Sequence, residues 1–358
     1  MPTQETTRGR GAMGNPTGRF ERLSYEPQLD TVAGAQDEDD PPGSLQTELY
    51  RDPTRKILAH NDSPDVGFDT SVNPYRGCEH GCVYCYARPT HEYLGLSAGL
   101  DFESRIFVKE DAPRLLEREL SKPSWRPRVI ALSGVTDPYQ PAERRLGLTR
   151  RCLEVLAAFR NPVVVVTKNH LVTRDADLLR TLAEVGAALV LISLTTLDSE
   201  LARRLEPRAS RPERRLGAIH TLAQAGVPVG VLVAPVIPAL NDSEIPALVA
   251  AAARAGARSA GYVMLRLPHG LKQLFADWLA HHYPERKDKV LHRIQDVRGG
   301  RLSDPRFGSR MTGEGVFARQ IEAMFALAVR RAGIERRSWE LSTRGFRRAG
   351  GAQLDLFG

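Results

Sequence analysis

Asn73-Pro-Tyr-Arg-Gly-Cys78-Glu-His-Gly-Cys82-Val-Tyr84-Cys85-Tyr-Ala-Arg-Pro-Thr-His91-Glu-Tyr-Leu-Gly95 gathers three of the chain's four cysteines into eight positions. Cysteines this close together are ligands before they are core residues. Spaced C-x3-C-x2-C, three thiolates wrap one face of a cubane iron–sulfur cluster and leave its fourth iron without a protein ligand, which makes that iron a chemical site. A structural zinc site is the competing reading, with His80 or His91 completing it, but zinc modules usually close four positions from two ligand pairs. The fourth cysteine, Cys152, lies in Thr149-Arg-Arg-Cys-Leu-Glu-Val-Leu156, a helical pattern in which a free cysteine packs as a small hydrophobe.

Working outward, a repeating strand-then-helix pattern begins at Gly67, the signature of a parallel sheet with crossover helices. Strands are expected at 68–74, 128–133, 162–168, 188–194, 227–237 and 259–266. Helices are expected at 111–120, 148–159, 174–185, 198–205, 212–225 and 243–255. Pro162-Val-Val-Val-Val-Thr-Lys168 is apolar throughout, as a strand buried on both faces must be. Six such units predict an α/β fold, an incomplete (β/α)6 TIM-like barrel. Beyond Arg266, helical patterns at 271–282, 287–297 and 315–333 predict a helical C-terminal extension over the open side of the barrel. The domain expectation is therefore a disordered polar tail at 1–45 and an ordered lead-in at 46–66. The barrel follows at 67–266, the helical extension at 267–341 and a flexible basic tail at 342–358.

Active sites of such barrels collect at the C-terminal ends of the strands. The residues ending these strands include the cysteine loop, Thr136-Asp137, Thr167-Lys168, Ser193 and Ala234-Pro235. Thr, Ser and Asp after a strand also cap the next helix. Lys168 is more telling, because a lysine closing a four-valine strand must point into the barrel mouth.

With 358 residues and 42% apolar content, the chain can bury a substantial core. It has no run of about 18 apolar residues and no apolar leader, so a soluble, cytoplasmic protein without a membrane span is expected. Clustered cysteines fit a reducing compartment better than a disulfide framework. The formal net charge of +7 is uneven: residues 266–358 carry 18 Lys/Arg against 10 Asp/Glu, a balance that suits an anionic partner such as nucleic acid.

The cysteine loop resembles the activating loop of the radical S-adenosylmethionine (SAM) enzymes, in which the aromatic before the third cysteine, here Tyr84, rests beside the cofactor's adenine. The resemblance implies a [4Fe-4S] cluster on Cys78, Cys82 and Cys85. It also implies SAM on the open iron and an external electron donor of flavodoxin or ferredoxin type. Within the superfamily, Cys85-Tyr86, Thr136-Asp137, Thr167-Lys168, Ser193, Leu205-Glu-Pro-Arg208-Ala-Ser and Val233-Ala-Pro235 are similar to the spore photoproduct lyase-like branch, over roughly residues 68–265. On that likeness Thr136, Lys168 and Ser193 contact the methionine and ribose parts of SAM. The backbone at Ala234 meets the adenine, Asp137 belongs to the same cofactor site, and Arg208 is a reserve partner for the carboxylate.

One departure matters: the lyase carries a cysteine just before its Ser/Thr-Asp pair that returns a hydrogen atom to the product radical, where this chain has Gly134-Val135. Neither residue donates a hydrogen atom in that way, so the resemblance stops at a bacterial subfamily whose substrate the residues do not name. The expected function is a radical SAM enzyme acting on an unidentified substrate, with no residue assigned to the catalytic step. The alternatives are a DNA or RNA lyase or modifying enzyme, and a non-catalytic metal-binding interaction protein.

Overall fold

The computed structural model describes residues 9–16, 18–20, 45–132, 134–335 and 340–348. Among the described residues ten strands form two sheets: β1 Glu48–Arg51, β2 Leu58–His60, β3 Thr70–Val72, β4 Tyr75–Arg76, β5 Arg105–Val108, β6 Ile130–Leu132, β7 Val163–Thr167, β8 Ala188–Ser193, β9 Val229–Val236 and β10 Ser259–Met264. The larger sheet runs β2-β3-β6-β7-β8-β9-β10, and every pairing in it is parallel except the edge pair β2–β3.

Six parallel strands in sequence order, each reached through a helical crossover, make the expected open barrel. Val163 and Val165 of β7 enter the main core under the outer helices, whereas Val164 joins Ala131 and Leu189 on the opposite face. Burial on both faces is what the four-valine run required. Helices Leu148–Phe159 and Leu271–His282 keep the bounds expected from their periodicity. Cys152 is fully buried in the helix-side core, as a small hydrophobe.

Other expectations need correction. The first strand does not run through 68–74: β3 stops at Val72, because Pro74 has no N–H for a ladder, and the chain leaves for the second sheet. That small sheet, ordered β1-β5-β4, launches the cysteine loop directly from Arg76. Part of the expected disordered tail is packed, with Arg10, Gly11 and Ala12 buried against the cysteine loop. The expected flexible C-terminal tail is also packed as far as it is described. Ser342 N donates to Gly186 O at 2.8 Å, Arg347 N donates to Phe159 O at 2.9 Å, and Leu341 reaches the inner barrel face beside Val164. Residues 1–8, 17, 21–44 and 349–358, on which the rest of those two tail expectations falls, lie outside the described residues.

The C-terminal segment bridges toward the open edge. Asp65, just after β2, accepts from Gly308 N at 2.6 Å and pairs with Arg310. Among the described residues no helix is long and apolar enough to cross a membrane.

The loop after β6 is fixed by Glu143, whose carboxylate is fully buried. It accepts from Tyr75 OH at 2.5 Å, from Thr149 N at 2.9 Å and from Arg174 Nη2 at 2.7 Å, tying β4, the first turn of helix Leu148–Phe159 and the loop after β7 to one point. Removing the carboxylate leaves the buried Tyr75 hydroxyl and the Thr149 amide without their acceptor, while Arg174 keeps its pair with Asp175. Glu143→Ala is therefore expected to lower unfolding stability by about 1–3 kcal/mol, the cost of leaving a buried polar group unsatisfied. A urea midpoint unchanged from wild type would show that the loop is held by something else.

Candidate functional site

The cysteine loop contains little regular structure, so its shape must come from outside it. Gly81 takes a left-handed conformation at φ +66°. Arg88, with no exposed surface, donates from Nε to Cys82 O at 2.8 Å and from Nη2 to Gly81 O at 3.1 Å. Its Nη1 reaches Ala98 O and Gly99 O at 3.1 and 2.9 Å, and its charge is met by Glu103 at 2.5 Å. Glu103 in turn accepts from Gly11 N at 2.9 Å and Ala12 N at 2.8 Å, while Arg10 Nη1 donates to Glu103 O at 2.6 Å. Gly11 lies so close to the loop that an added Cβ would stand 1.8 Å from Gly81 O. The residues near the amino terminus thus form a strap over the outer side of the cysteines.

Cys78 and Cys82 are buried, Cys85 is half-buried, and all three are free thiols. Burial pushes the Cys78 thiol well above its ordinary value, with Asp137 and the two other sulfurs adding to the effect. Burial raises Cys82 as well, then Glu206 adds to it while Lys168 opposes. Thiols in this state need cationic iron to become thiolate ligands. Three sulfurs on one clamped loop, each able to meet a different iron, fit a cubane.

The histidines that would complete a zinc site are engaged elsewhere. His80 Nδ1 lies 3.3 Å from Asp137 Oδ2, and its Nε2 lies 3.2 Å from Asn169 Nδ2. His91 is wedged edge-on against Phe102 and Phe107, its Nε2 on Arg105 O at 3.0 Å, and burial lowers its pKa to about 4. Among the described residues no group of three or more His, Cys, Asp or Glu side chains is arranged to hold a single metal ion.

Beside the loop, the ends of β7, β8 and β9 form a polar knot. Lys168 Nζ donates to Ser193 Oγ at 2.6 Å and to Ala234 O at 3.4 Å, and stands 5.8 Å from the Tyr84 ring centroid. Thr195 Oγ1 donates to Glu206 at 2.5 Å and to Ala234 O at 2.9 Å, and Tyr84 OH also reaches Glu206. Burial pushes the Glu206 carboxyl up, but Arg215 and Lys168 hold it down to about 2.

Of the candidate residues, Tyr84, Lys168, Ser193 and Ala234 therefore meet at one place. Asp137 supports it from behind, accepting from Thr167 Oγ1 at 2.7 Å and from Lys168 N at 2.8 Å. Thr136 is turned away, its Oγ1 on Tyr75 O at 3.3 Å. Arg208 is elsewhere: its Nη1 reaches Glu79 at 3.2 Å and Thr47 Oγ1 at 3.1 Å on the outer side of the cysteine loop. Thr195, among the residues that end strand four, and Glu206, in the Leu205-Glu-Pro-Arg208 stretch, were given no cofactor contact from the sequence. Arg88, Glu103 and Arg10 were missed outright, since their pairing joins positions up to 93 residues apart.

Comparisons with known proteins follow from this geometry. A family model described as the radical SAM superfamily matches residues 72–252. An uncharacterized protein of Mycobacterium bovis is 40% identical over 220 residues, spanning 61% of this chain and 65% of that protein. An uncharacterized protein of Methanocaldococcus jannaschii is 31% identical over 173 residues, 48% of this chain and 62% of that one. The chain thus spans just under two thirds of the length of these curated relatives. Among solved structures, spore photoproduct lyase complexed with dinucleoside spore photoproduct matches with a TM-score of 0.59 at 17% identity, over 80% of this chain and 81% of that one, which shows a shared fold.

Arg88→Ala is expected to destabilise the fold by about 3–5 kcal/mol, because it leaves Glu103 buried without its cation. It should also speed alkylation of Cys82 in iron-free protein relative to Cys152, read by mass spectrometry of the labelled chain. Equal labelling rates in variant and wild type would remove Arg88 from the role of loop clamp.

Proposed function

Because this chain belongs to the radical SAM superfamily, we propose that it is an enzyme holding a [4Fe-4S] cluster on Cys78, Cys82 and Cys85 and binding SAM at the knot of strand ends beside them. The bound pair supplies one-electron reductive cleavage of SAM to methionine and a 5′-deoxyadenosyl radical that takes a hydrogen atom from a substrate. The observation that carries the reading is the convergence of Lys168, Ser193 and Ala234 beside Tyr84, the aromatic between the second and third cysteines.

In this reading Lys168 Nζ, now on Ser193 Oγ, would hold the cofactor's carboxylate and the Ser193 hydroxyl would hold its ribose. The backbone at Ala234 meets the adenine. Asp137 acts as a positioning residue, holding the Lys168 main chain and His80. Thr136 positions the loop through Tyr75 O, and Arg208 pairs with Glu79 on the outer side of the cysteine loop. An external one-electron donor and a cytoplasmic location belong to the same proposal.

A second reading concerns the substrate. Tyr86, following the third cysteine, is 48% exposed, with the Arg266 guanidinium 4.3 Å from its ring centroid. An exposed aromatic ring backed by a guanidinium is a platform for a nucleobase. This supports a nucleic-acid substrate, as does the fold shared with a lyase whose structure holds a dinucleoside photoproduct. Val135 packs beside Cys78 and Cys85, so this chain has no thiol there to return a hydrogen atom.

Anaerobic reconstitution is expected to give about four irons per chain and dithionite-dependent 5′-deoxyadenosine, both lost in Cys82→Ala. Lys168→Ala should keep the cluster and weaken SAM binding roughly ten- to hundredfold, the worth of one charge-assisted hydrogen bond. Fully clustered protein that releases no 5′-deoxyadenosine would sink the proposal.

A further inference from the structure

The sequence balance places the basic excess at the C-terminus, but the structure gathers a basic wall elsewhere. A groove of about 1290 Å³ opens on the outer side of the cysteine loop, lined by Arg144, Arg203, Arg204, Arg208, Arg211 and Arg214. Arg144, Arg203, Arg211 and Arg214 are exposed. Arg214 Nη2 lies 3.4 Å from His170 Nδ1, in the loop after β7. The one carboxylate in the described lining, Glu206, is buried and paired with Arg215. Glu200 and Glu79 offset part of the remaining charge through Arg203, Arg204 and Arg208.

We infer that this groove is the docking surface for a small acidic one-electron donor protein, of flavin or iron–sulfur type, which reduces the cluster through the wall it shares with the cysteine loop. The inference rests on the proposed function, since only a cluster needs such a donor. Three observations select this occupant. The groove is lined by the strap residues Gly9–Met13 and by the 206–211 stretch, and both bear directly on the cysteine loop. Arg208 N donates to His80 O at 3.3 Å, Val83 N donates to Leu205 O at 3.1 Å, and Gly11 abuts Gly81, so one layer of chain separates the groove from Cys82.

A wall of this sign concentrates anionic surfaces and speeds their encounter, and electron-transfer complexes of this kind are small and transient. The described lining also holds no Phe, Tyr or Trp on which bases would stack, in contrast to Tyr86 by Arg266 near the free edge of the barrel. The step transfers one electron: the donor is oxidised by one, the cluster is reduced by one, and no bond is made or broken.

The test uses the full chain carrying Arg211→Glu and Arg214→Glu, with Arg330→Glu and Arg331→Glu on helix Gly315–Ala332 as the equal-charge control. Binding of an acidic flavodoxin to the as-isolated protein is measured at low and high salt. Reduction of the cluster by photoreduced flavodoxin is followed by electron paramagnetic resonance, and dithionite-driven 5′-deoxyadenosine is measured alongside. The groove variant should bind flavodoxin at least about tenfold more weakly, with a flatter salt dependence. It should slow flavodoxin-driven reduction to match and leave the dithionite-driven product unchanged, and the control should match wild type. Unchanged flavodoxin affinity in the groove variant overturns the assignment. Loss of DNA affinity with flavodoxin affinity intact also overturns it, in favour of a nucleic-acid surface. If wild type makes no product with dithionite, the proposed enzyme activity fails, while the binding arm still reads the groove.

Discussion

The buried pair of Arg88 and Glu103 is the constraint on which the cysteine loop depends. Both side chains have no exposed surface, and taking two charges out of water costs several kcal/mol each unless their remaining donors and acceptors are met. Here they are met by main chain: Cys82, Gly81, Ala98 and Gly99 carbonyls on the arginine, and Gly11 and Ala12 amides on the carboxylate. The pair is thus less a source of stability than a device that selects one loop shape. A loop built of turns depends on such contacts from outside it to fix three sulfurs relative to one another.

A second constraint works at the strand ends in the same way. Glu206 draws Tyr84, Thr195 and Arg215 onto one carboxylate, and Lys168 lies 3.8 Å away. It connects the loop after β8 to the aromatic residue inside the cysteine loop, so the two halves of the candidate site cannot move independently. The outer side of the same wall carries the exposed guanidiniums of Arg203, Arg211 and Arg214. One layer of chain therefore divides a neutralised interior from a strongly cationic surface.

How much of this was legible in the sequence depends on how local each signal is. β7 and β8 were read nearly to the residue, because strands covered on both faces are apolar at every position. Helix Leu148–Phe159 was read to its bounds from its period. By contrast β4, with two residues, and β2, with three, carry no period to read, and β3 was over-extended through a proline that ends it. Lys168 and Ser193 could be named because each closes a strand. The strap could not: Arg8-Gly-Arg-Gly11 has the composition of a solvated tail, and only its partner far along the chain explains why Arg10 and Gly11 are buried. The same holds for Ser342 and Arg347, whose partners lie in the loops flanking helix Leu148–Phe159 and β8.

The electrostatics around the thiols carry one more consequence. The cations near them are largely paired: Arg88 with Glu103, Arg208 with Glu79, Arg215 with Glu206, and Lys168 near that same carboxylate. Asp137 is matched by His80. The protein therefore offers little uncommitted positive charge to stabilise three thiolates, which agrees with burial driving Cys78 and Cys82 toward the protonated state. Burial favours the protonated thiols, and in the proposed reading ligation of iron would release those protons. On the outer side of the same wall the exposed guanidiniums of Arg211 and Arg214 face solvent and not sulfur.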